Sequence, residues 1–226
     1  MTAPAWLTRC SADVPAGDGW LGSRERAVLA GLHVPKRRED WRLGRWTAKT
    51  AVAAHLGADP ARIEILAAAD GAPEAWLDGA PLPLSVSLSH RAGRAVAAVT
   101  ASPDAVGCDL ELIEPRSPAF VRQWLGPREQ ALVAQRAGAE RDTLANLLWS
   151  AREAAAKVRR EGLRLDVRRA DVELGGGGGG DWHRFSVRWG DGAPATSGWW
   201  RCGPEWVLTI AGGPGLQPPS RLSAPS

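Results

Sequence analysis

Two short segments that alternate between apolar and polar residues restrict the fold of this chain most strongly. In Leu82–Ser89, three apolar residues fall on one side and three serines on the other, and Val106–Ile113 alternates in the same way. A period of two residues predicts half-buried β-strands. Arg91–Arg94 predicts a turn and Ala95–Thr100 a returning strand, so the first strand is expected to form one half of a hairpin.

Two longer segments predict helices that accompany these strands. Glu39–His55 has helical character and is followed by Gly57, a residue that commonly ends helices. Thr143–Arg160 predicts a second helix, with Asp142 as its N-cap and Gly162 as its stop. This mixture of strands and helices predicts an α+β protein built from two halves.

The proposed division of the chain places residues 1–103 in an N-terminal half and residues 104–212 in a C-terminal half. Residues 213–226 are rich in Pro, Ser and Gly and are expected to form a loose tail. The six consecutive glycines Gly175–Gly180 predict a mobile loop, because ordering such a run costs much backbone entropy.

The composition is that of an ordinary globular protein, with 44% hydrophobic and 23% charged residues. It contains no apolar run long enough to span a membrane and no secretory signal, so we expect a cytoplasmic protein. Three widely separated cysteines predict neither disulfides nor a zinc site. A net charge of +3 favours anionic partners without selecting among phosphates, nucleic acid and acidic proteins.

One helical segment carries a stripe of four cations, Arg38, Arg42, Arg45 and Lys49, at steps of four, three and four residues. These steps place the four side chains on one face of the helix. Like charges on one face repel unless an anion lies against them, which suggests a phosphate-binding face. The alternative is a helix face that is simply exposed to water.

Asp109 and Glu111 are two residues apart in a predicted strand and therefore project from the same side. Two carboxylates held close together repel each other, and a hard divalent cation relieves that repulsion. The pattern is common by chance, so an exposed sheet edge is the alternative interpretation.

Trp149, Glu153 and Lys157 follow one another at steps of four residues and form a stripe on the second helix. They are consistent with a third metal-binding carboxylate beside a phosphate-binding lysine, or with an ordinary surface ion pair. His90 ends the first strand of the predicted hairpin, where it either binds a ligand or merely occupies a surface position.

Several short motifs occur together in a defined order. In sequence they read Gly44-Arg45, Gly71-Ala72-Pro73, Ser87-Leu88-Ser89-His90, Val106-Gly107-Cys108-Asp109-Leu110-Glu111 and Trp149-Ser150-Ala151-Arg152-Glu153-Ala154-Ala155-Ala156-Lys157. This series resembles the Sfp-type 4'-phosphopantetheinyl transferases. Each motif is weak alone, whereas five in the same order and spacing are specific. The resemblance spans about residues 38 to 165.

The resemblance implies an α+β fold with a pseudo-twofold arrangement of two similar halves and the active site in the cleft between them. It implies magnesium-dependent transfer of the 4'-phosphopantetheine group from coenzyme A to a serine of a carrier protein, with release of adenosine 3',5'-bisphosphate. Asp109, Glu111 and Glu153 would hold Mg²⁺, and Asp109, Glu153 and Lys157 would form the catalytic group.

The resemblance also assigns coenzyme A contacts. Lys157 would contact the pyrophosphate, and Ser89 and His90 the 3'-phosphate. One or more of the arginines of the basic stripe would hold the phosphates and the adenosine, and which of them does so is left open. These arginines are Arg38, Arg42 and Arg45.

The sequence departs from the family pattern at three positions. Ala72 stands where a Lys or Arg is frequent, which puts an adenosine-side contact in doubt. Arg91 stands where a small residue is usual and is a candidate to replace that charge. Arg152 stands where Lys is common, and none of the three changes affects the expected metal ligands.

The expected partners are coenzyme A and acyl or peptidyl carrier proteins of fatty acid, polyketide or nonribosomal peptide synthesis. No nucleic acid and no membrane partner is expected, and the protein is expected to be a monomer. We expect Pro115–Arg141, which combines arginines with aromatic residues, to dock the acidic carrier.

Two other functions are alternatives to the transferase activity. The first is a degenerate relative that binds coenzyme A or carriers without turnover, which an intact set of three carboxylates disfavours. The second is a nucleic-acid binder, suggested only by the basic charge, which leaves Asp109, Glu111 and Glu153 without a role.

Overall fold

The computed structural model describes residues 3–101, 105–161, 165–177 and 180–223. They form two compact units: an N-terminal unit of residues 2–106 and 219–226, and a C-terminal unit of residues 107–218.

The helices of the described residues are α1 Ser23–Ala30, α2 Pro35–Leu56, α3 Pro118–Trp124, α4 Pro127–Ala134 and α5 Gly138–Arg159. The strands are β1 Ala5–Cys10, β2 Ile63–Ala67, β3 Pro73–Leu77, β4 Ala80–Pro81, β5 Leu84–Arg91, β6 Arg94–Ala101, β7 Val106–Leu112, β8 Ala170–Gly177, β9 His183–Trp189, β10 Thr196–Cys202, β11 Trp206–Gly212 and β12 Ser220–Arg221. The α+β class predicted from the sequence is confirmed.

The N-terminal unit contains a sheet of strand order β12-β1-β6-β5 and a smaller sheet of order β2-β3-β4. The small buried residues of α2 let this helix pack closely on both sheets. The shared core consists of Leu7, Ala48, Ala51, Val52, Ala53, Ile63, Ile65, Ala75, Val86, Ala97 and Val99. This packing fixes the helix that carries the basic stripe.

The predicted hairpin is present as β5 and β6, with Leu88 opposite Ala97 and Arg91 opposite Arg94. Its two-residue turn consists of Ala92 and Gly93, which have φ values of 46° and 74°. A tight hairpin turn of this kind needs positive φ at both central residues. The alternation of Leu82–Ser89 therefore correctly predicted both the strand and its partner.

Helix α2 was also predicted correctly, although it begins four residues earlier than expected, at Pro35. Proline is favoured at the first helical position because it lacks the N–H that would have no partner there. Gly57 ends the helix with φ 67°, as its position in the sequence indicated.

The predicted loose tail is wrong for part of its length. Ser220–Arg221 forms β12, which runs parallel to β1 at the edge of the N-terminal sheet. The backbone N–H groups of Ser220 and Leu222 donate to the carbonyls of Pro4 and Trp6 at 2.9 and 2.8 Å. These bonds order a segment whose composition alone suggested a loose chain.

The C-terminal unit contains a five-stranded sheet of order β7-β11-β10-β9-β8, and α5 packs against it. The buried face of α5 is lined mainly with small residues, which allows the helix to lie close to the strands. The core includes Ala145, Leu148, Ala151, Ala154, Ala155, Val172, Phe185, Val187, Trp189 and Ala211. Strands β10 and β11 pair antiparallel, with Trp199 opposite Ile210.

The predicted N-cap of α5 is wrong, because the helix begins at Gly138 and its N-cap is Ala137. Asp142 instead lies within the helix, where it forms an ion pair with Arg141 at 3.1 Å. The helix ends at Arg159, and Arg160 adopts φ 53° beyond it. Gly162, the expected stop, lies outside the described residues.

The glycine run is only partly described, and its first three residues contradict the loop prediction. Gly175, Gly176 and Gly177 belong to β8, and Gly177 lies opposite His183 of β9. The register shifts between Leu174 and Gly177, and the absence of side chains accommodates such an irregularity. Pairing with β9 offsets the backbone entropy that these glycines lose when they are ordered.

A fully buried ion pair joins α1 to α2 in the N-terminal unit. Lys49 Nζ lies 2.7 Å from Glu25 Oε2, and neither side chain is exposed to solvent. Glu25 also accepts the N–H groups of Gly22 at 2.9 Å and Ile65 at 2.9 Å. One carboxylate thus caps α1, binds the first strand of the small sheet and neutralises a buried lysine.

The same arrangement occurs in the C-terminal unit, between α4 and α5. Glu129 accepts the N–H groups of Gly126 at 2.6 Å and Val172 at 2.9 Å, and pairs with Arg152. Arg152 is fully buried and also donates to the carbonyl of Ala170 at 2.9 Å. In each unit a buried glutamate therefore ties a short helix, a long helix and a strand together.

We expect Lys49→Met to lower the free energy of unfolding by about 3 to 5 kcal/mol, because Glu25 would be left buried without its cation. Urea denaturation followed by tryptophan fluorescence measures the change. Lys36→Met is the matched control, since Lys36 forms an exposed pair with Asp40 and should contribute less than about 1 kcal/mol. Equal losses in the two variants would contradict a special role of the buried pair.

Candidate active site

Strand β7 approaches helix α5 so closely that only glycine fits at the point of contact. A Cβ atom at Gly107 would lie 1.9 Å from the carbonyl oxygen of Ala154 and 3.1 Å from Val158 Cγ2. The first distance is far below van der Waals contact, and its partner is backbone that cannot turn away. Gly107 therefore allows β7 to lie directly on the helix that carries Glu153 and Lys157.

Asp109 and Lys157 form an ion pair across this contact. Lys157 Nζ donates to Asp109 Oδ1 at 3.0 Å and to the carbonyl oxygen of Cys108 at 2.8 Å. Asp109 is buried, whereas the side chain of Lys157 is 31% exposed. Burial favours the neutral amine, but the negative charges around it, chiefly that of Asp109, outweigh this effect and raise the pKa of Lys157. The residue is a permanent cation at the site.

Glu153 lies one helical turn before Lys157 on α5 and is half-buried. Burial of its carboxyl raises its pKa, and the negative charges of Asp109 and Glu111 raise it further, while Lys157 acts in the opposite direction. The influence of both other carboxylates places all three acidic groups in one electrostatic environment. The pKa of Glu153 is thus raised chiefly by its own burial.

The donor chemistry of the three carboxylates suits a magnesium ion. Hard oxygen ligands are the ones that Mg²⁺ prefers, and mutual repulsion of the carboxylates is what a divalent cation relieves. Across the described ranges, however, no three His, Cys, Asp or Glu side chains are grouped as a metal centre. Asp109 is bonded to Lys157, and Glu111 is held by Arg116 and Trp149. The three carboxylates therefore have the type of oxygen ligand that Mg²⁺ prefers.

The N-terminal unit contains the expected coenzyme A contacts other than Lys157, and the basic stripe is wrong at one position. Lys49 is fully buried and paired with Glu25, so it cannot belong to a phosphate-binding face. Helical spacing placed the four cations on one side of α2 but could not show that Glu25 covers the end of that side.

The three arginines of the stripe have different surroundings. Arg38 Nη1 donates to the carbonyls of Leu29 and Leu32 at 2.6 and 3.0 Å. Arg42 binds the carbonyl of Pro15 at 2.8 Å, the carbonyl of Gly17 and the carboxylate of Asp18. The guanidinium of Arg45 lies 5.0 Å from the centroid of the Trp41 ring, and burial lowers its pKa. All three are arranged along the beginning and middle of α2.

Ser89 and His90 lie at the end of β5, where the strand passes under α2. A Cβ placed at Gly44 would lie 3.4 Å from Leu88 Cδ1 and 3.9 Å from His90 Cδ2. The Gly-Arg motif of the helix and the Ser-His motif of the strand, far apart in sequence, are therefore neighbours. His90 is exposed and Ser89 is half-buried.

Two residues near Glu111 were not linked to it from the sequence, which placed Arg116 only in the segment expected to dock the carrier and gave Asn146 no role. Arg116 pairs with Glu111, and Asn146 is fully buried and accepts a hydrogen bond from Arg116 Nε at 2.6 Å. Asn146 lies three residues before Trp149 on α5, so helical periodicity contained a signal for it. Arg116 follows Glu111 in an irregular segment, where no periodic pattern marks it.

Comparison with protein-family models gives a match to the part of the chain that contains this group of carboxylates and lysine. Residues 105–199 match the family model of the 4'-phosphopantetheinyl transferase superfamily. This part of the chain, which contains all three carboxylates and Lys157, is therefore similar to that superfamily. No curated protein matches the chain. None of the helices in the described residues combines the length and apolar character needed to cross a membrane.

We expect Gly107→Ala to lower the free energy of unfolding by about 1 to 3 kcal/mol, because β7 and α5 must separate to admit the methyl group. Gly203→Ala is the control, since a Cβ there meets no atom within 4 Å. Chemical denaturation measures both variants. A Gly107→Ala protein as stable as the control variant would show that the contact tolerates a side chain.

Proposed function

We propose that this protein is an Sfp-type, magnesium-dependent 4'-phosphopantetheinyl transferase. It transfers the 4'-phosphopantetheine group of coenzyme A to a serine of an acyl or peptidyl carrier protein and releases adenosine 3',5'-bisphosphate. The observation that carries this proposal is the meeting of Asp109, Glu153 and Lys157 across the contact of β7 and α5, within the segment that matches the transferase superfamily.

In the reaction, the carrier serine hydroxyl attacks the phosphorus atom that bears pantetheine. A new P–O bond forms to the serine, the bond to the bridging pyrophosphate oxygen breaks, and adenosine 3',5'-bisphosphate departs with that oxygen. The proton of the serine must be taken up as the bond forms. Catalysis of this kind depends mainly on positioning and on stabilising charge at the phosphates.

Asp109, Glu111 and Glu153 would hold the magnesium ion, which when bound neutralises charge on the pyrophosphate and stabilises the departing phosphate. Glu153 takes the serine proton as the new P–O bond forms. Lys157, kept cationic by Asp109, stabilises the charge that develops on the phosphates.

Residues of the N-terminal unit would bind the other end of coenzyme A. Ser89 and His90 would contact the 3'-phosphate, and Arg38, Arg42 or Arg45 the phosphates and adenosine. The proximity of Gly44 to His90 supports a shared role for α2 and the end of β5.

The segment Pro115–Arg141, which includes α3 and α4, would dock the carrier protein. Arg122 and Arg128 are exposed there and complement the acidic helices of carrier proteins. Phe120 and Trp124 provide apolar surface beside them, and both rings contact Trp149 of α5.

The activity is tested by incubating the protein with Mg²⁺, coenzyme A and several apo carrier proteins, and measuring the mass of each carrier. A carrier that gains the mass of phosphopantetheine establishes the transfer. Glu153→Gln should reduce the rate by about 10²- to 10⁴-fold, the usual contribution of a general base. Glu173→Gln, a change of an exposed side chain of β8 outside the proposed docking segment, should leave the rate unaltered.

Chelation with EDTA should abolish transfer by the native protein, and added Mg²⁺ should restore it. Full turnover in EDTA would remove the metal from the proposal. Binding of coenzyme A without modification of any carrier would instead favour the degenerate relative that binds without turnover.

The 3'-phosphate contact of His90 is tested with coenzyme A and dephospho-coenzyme A. A hydrogen bond to a charged group contributes about 1.5 to 3 kcal/mol, so His90→Ala should lower kcat/KM for coenzyme A by about 10- to 150-fold. With dephospho-coenzyme A, which lacks the 3'-phosphate, the variant and the native protein should differ little. An equal loss with both substrates would show that His90 only supports the end of the strand.

A further inference from the structure

The carboxylate of Glu111 accepts from one donor in the segment that follows β7 and from one donor on α5. Trp149 Nε1 donates to Glu111 Oε1 at 3.1 Å, and Arg116 Nη2 donates to Glu111 Oε2 at 2.9 Å. The side chains of Glu111 and Arg116 are only 13% and 14% exposed. Both oxygens of this carboxylate are therefore fixed in direction within a largely buried environment.

The guanidinium of Arg116 is itself fixed by several contacts. Its Nε donates to Asn146 Oδ1 at 2.6 Å, its Nη1 lies 3.3 Å from Glu114 Oε1, and it lies 4.8 Å from the Phe120 ring centroid. Asn146 is in turn oriented because its Nδ2 donates to the carbonyls of Glu114 and Asp142 at 2.7 and 2.8 Å. The orientation of the Arg116 guanidinium is thus set by Asn146 of α5.

The indole of Trp149 is fixed by ring packing. Its centroid lies 5.4 Å from that of Phe120 and 5.3 Å from that of Trp124. Aromatic pairs at such distances have preferred orientations, so the indole N–H points in a defined direction. Replacing the indole by a phenyl ring removes the donor and retains most of the packing.

We propose that Arg116 and Trp149 are positioning residues that fix the carboxylate of Glu111 for a divalent cation shared with Asp109 and Glu153. This inference rests on the proposed function, which supplies the cation. Each carboxylate oxygen has two lone pairs, so an oxygen that accepts one hydrogen bond retains a lone pair for a metal. Partners of this kind orient metal-binding carboxylates, and their loss typically weakens metal binding about 10- to 100-fold.

The charge of Arg116 and its orientation of Glu111 predict opposite effects of its removal on cation binding. Measuring that binding therefore distinguishes the two. Arg116 offsets one negative charge at the site, so charge alone predicts that its removal strengthens the binding of a cation. Orientation predicts weaker binding, because Glu111 would then turn freely and lose that freedom when the metal binds. We expect the effect of orientation to be the larger one.

The test measures the dissociation constant of Mn²⁺ for the full chain by isothermal titration calorimetry, without substrate. Trp149→Phe, Arg116→Lys and Arg116→Met should each raise the constant about 10- to 100-fold. Trp124→Phe is the matched control, because its ring belongs to the same cluster while its donor does not bond to Glu111. Circular dichroism and the thermal midpoint verify that each variant is folded.

The outcomes separate this inference from the proposed function. If the native protein binds Mn²⁺, Asp109→Ala weakens binding and the Trp149 and Arg116 variants do not, the positioning role is wrong and the metal site stands. Tighter binding by Arg116→Met, or equal weakening by Trp124→Phe, also overturns it. If the native protein binds no Mn²⁺, or Asp109→Ala binds it equally well, both the metal site and the inference fail.

Discussion

The close approach of β7 to α5 at Gly107 is the constraint on which the proposed active site depends. Because no Cβ separates the strand from the carbonyl of Ala154, Asp109 reaches the helix that carries Glu153 and Lys157. The two motifs lie more than forty residues apart in sequence, and this contact makes them one site. The small residues along the buried face of α5 extend the same closeness over the whole sheet.

A buried glutamate anchors the long helix of each unit, and that of the C-terminal unit anchors α5, the helix of this contact. Glu25 and Glu129 each cap a short helix, accept a strand N–H and pair with a cation of α2 or α5. A charge buried in this way cannot also meet a substrate. Lys49 and Arg152 are therefore parts of the framework, although both lie within motifs that the sequence associates with coenzyme A binding and catalysis.

Local features of the structure were predictable from the sequence, and non-local ones were not. The β5–β6 hairpin and the end of α2 at Gly57 follow from neighbouring residues alone. The burial of Lys49 depends on Glu25, twenty-four residues earlier, and helical spacing contains no information about what covers a face. Similarly, the order of Gly175–Gly177 comes from pairing with β9, and the orientation of Arg116 from its hydrogen bond to Asn146 of α5.

The pairing of β12 with β1 has a consequence for the order in which the chain is made. The first strand of the N-terminal sheet emerges from the ribosome early, but its edge partner, Ser220–Arg221, follows only after the C-terminal unit has been synthesised. Until then, the outer edge of β1 exposes backbone groups that are able to pair with another chain. The N-terminal sheet can therefore be completed only after the C-terminal unit has been made.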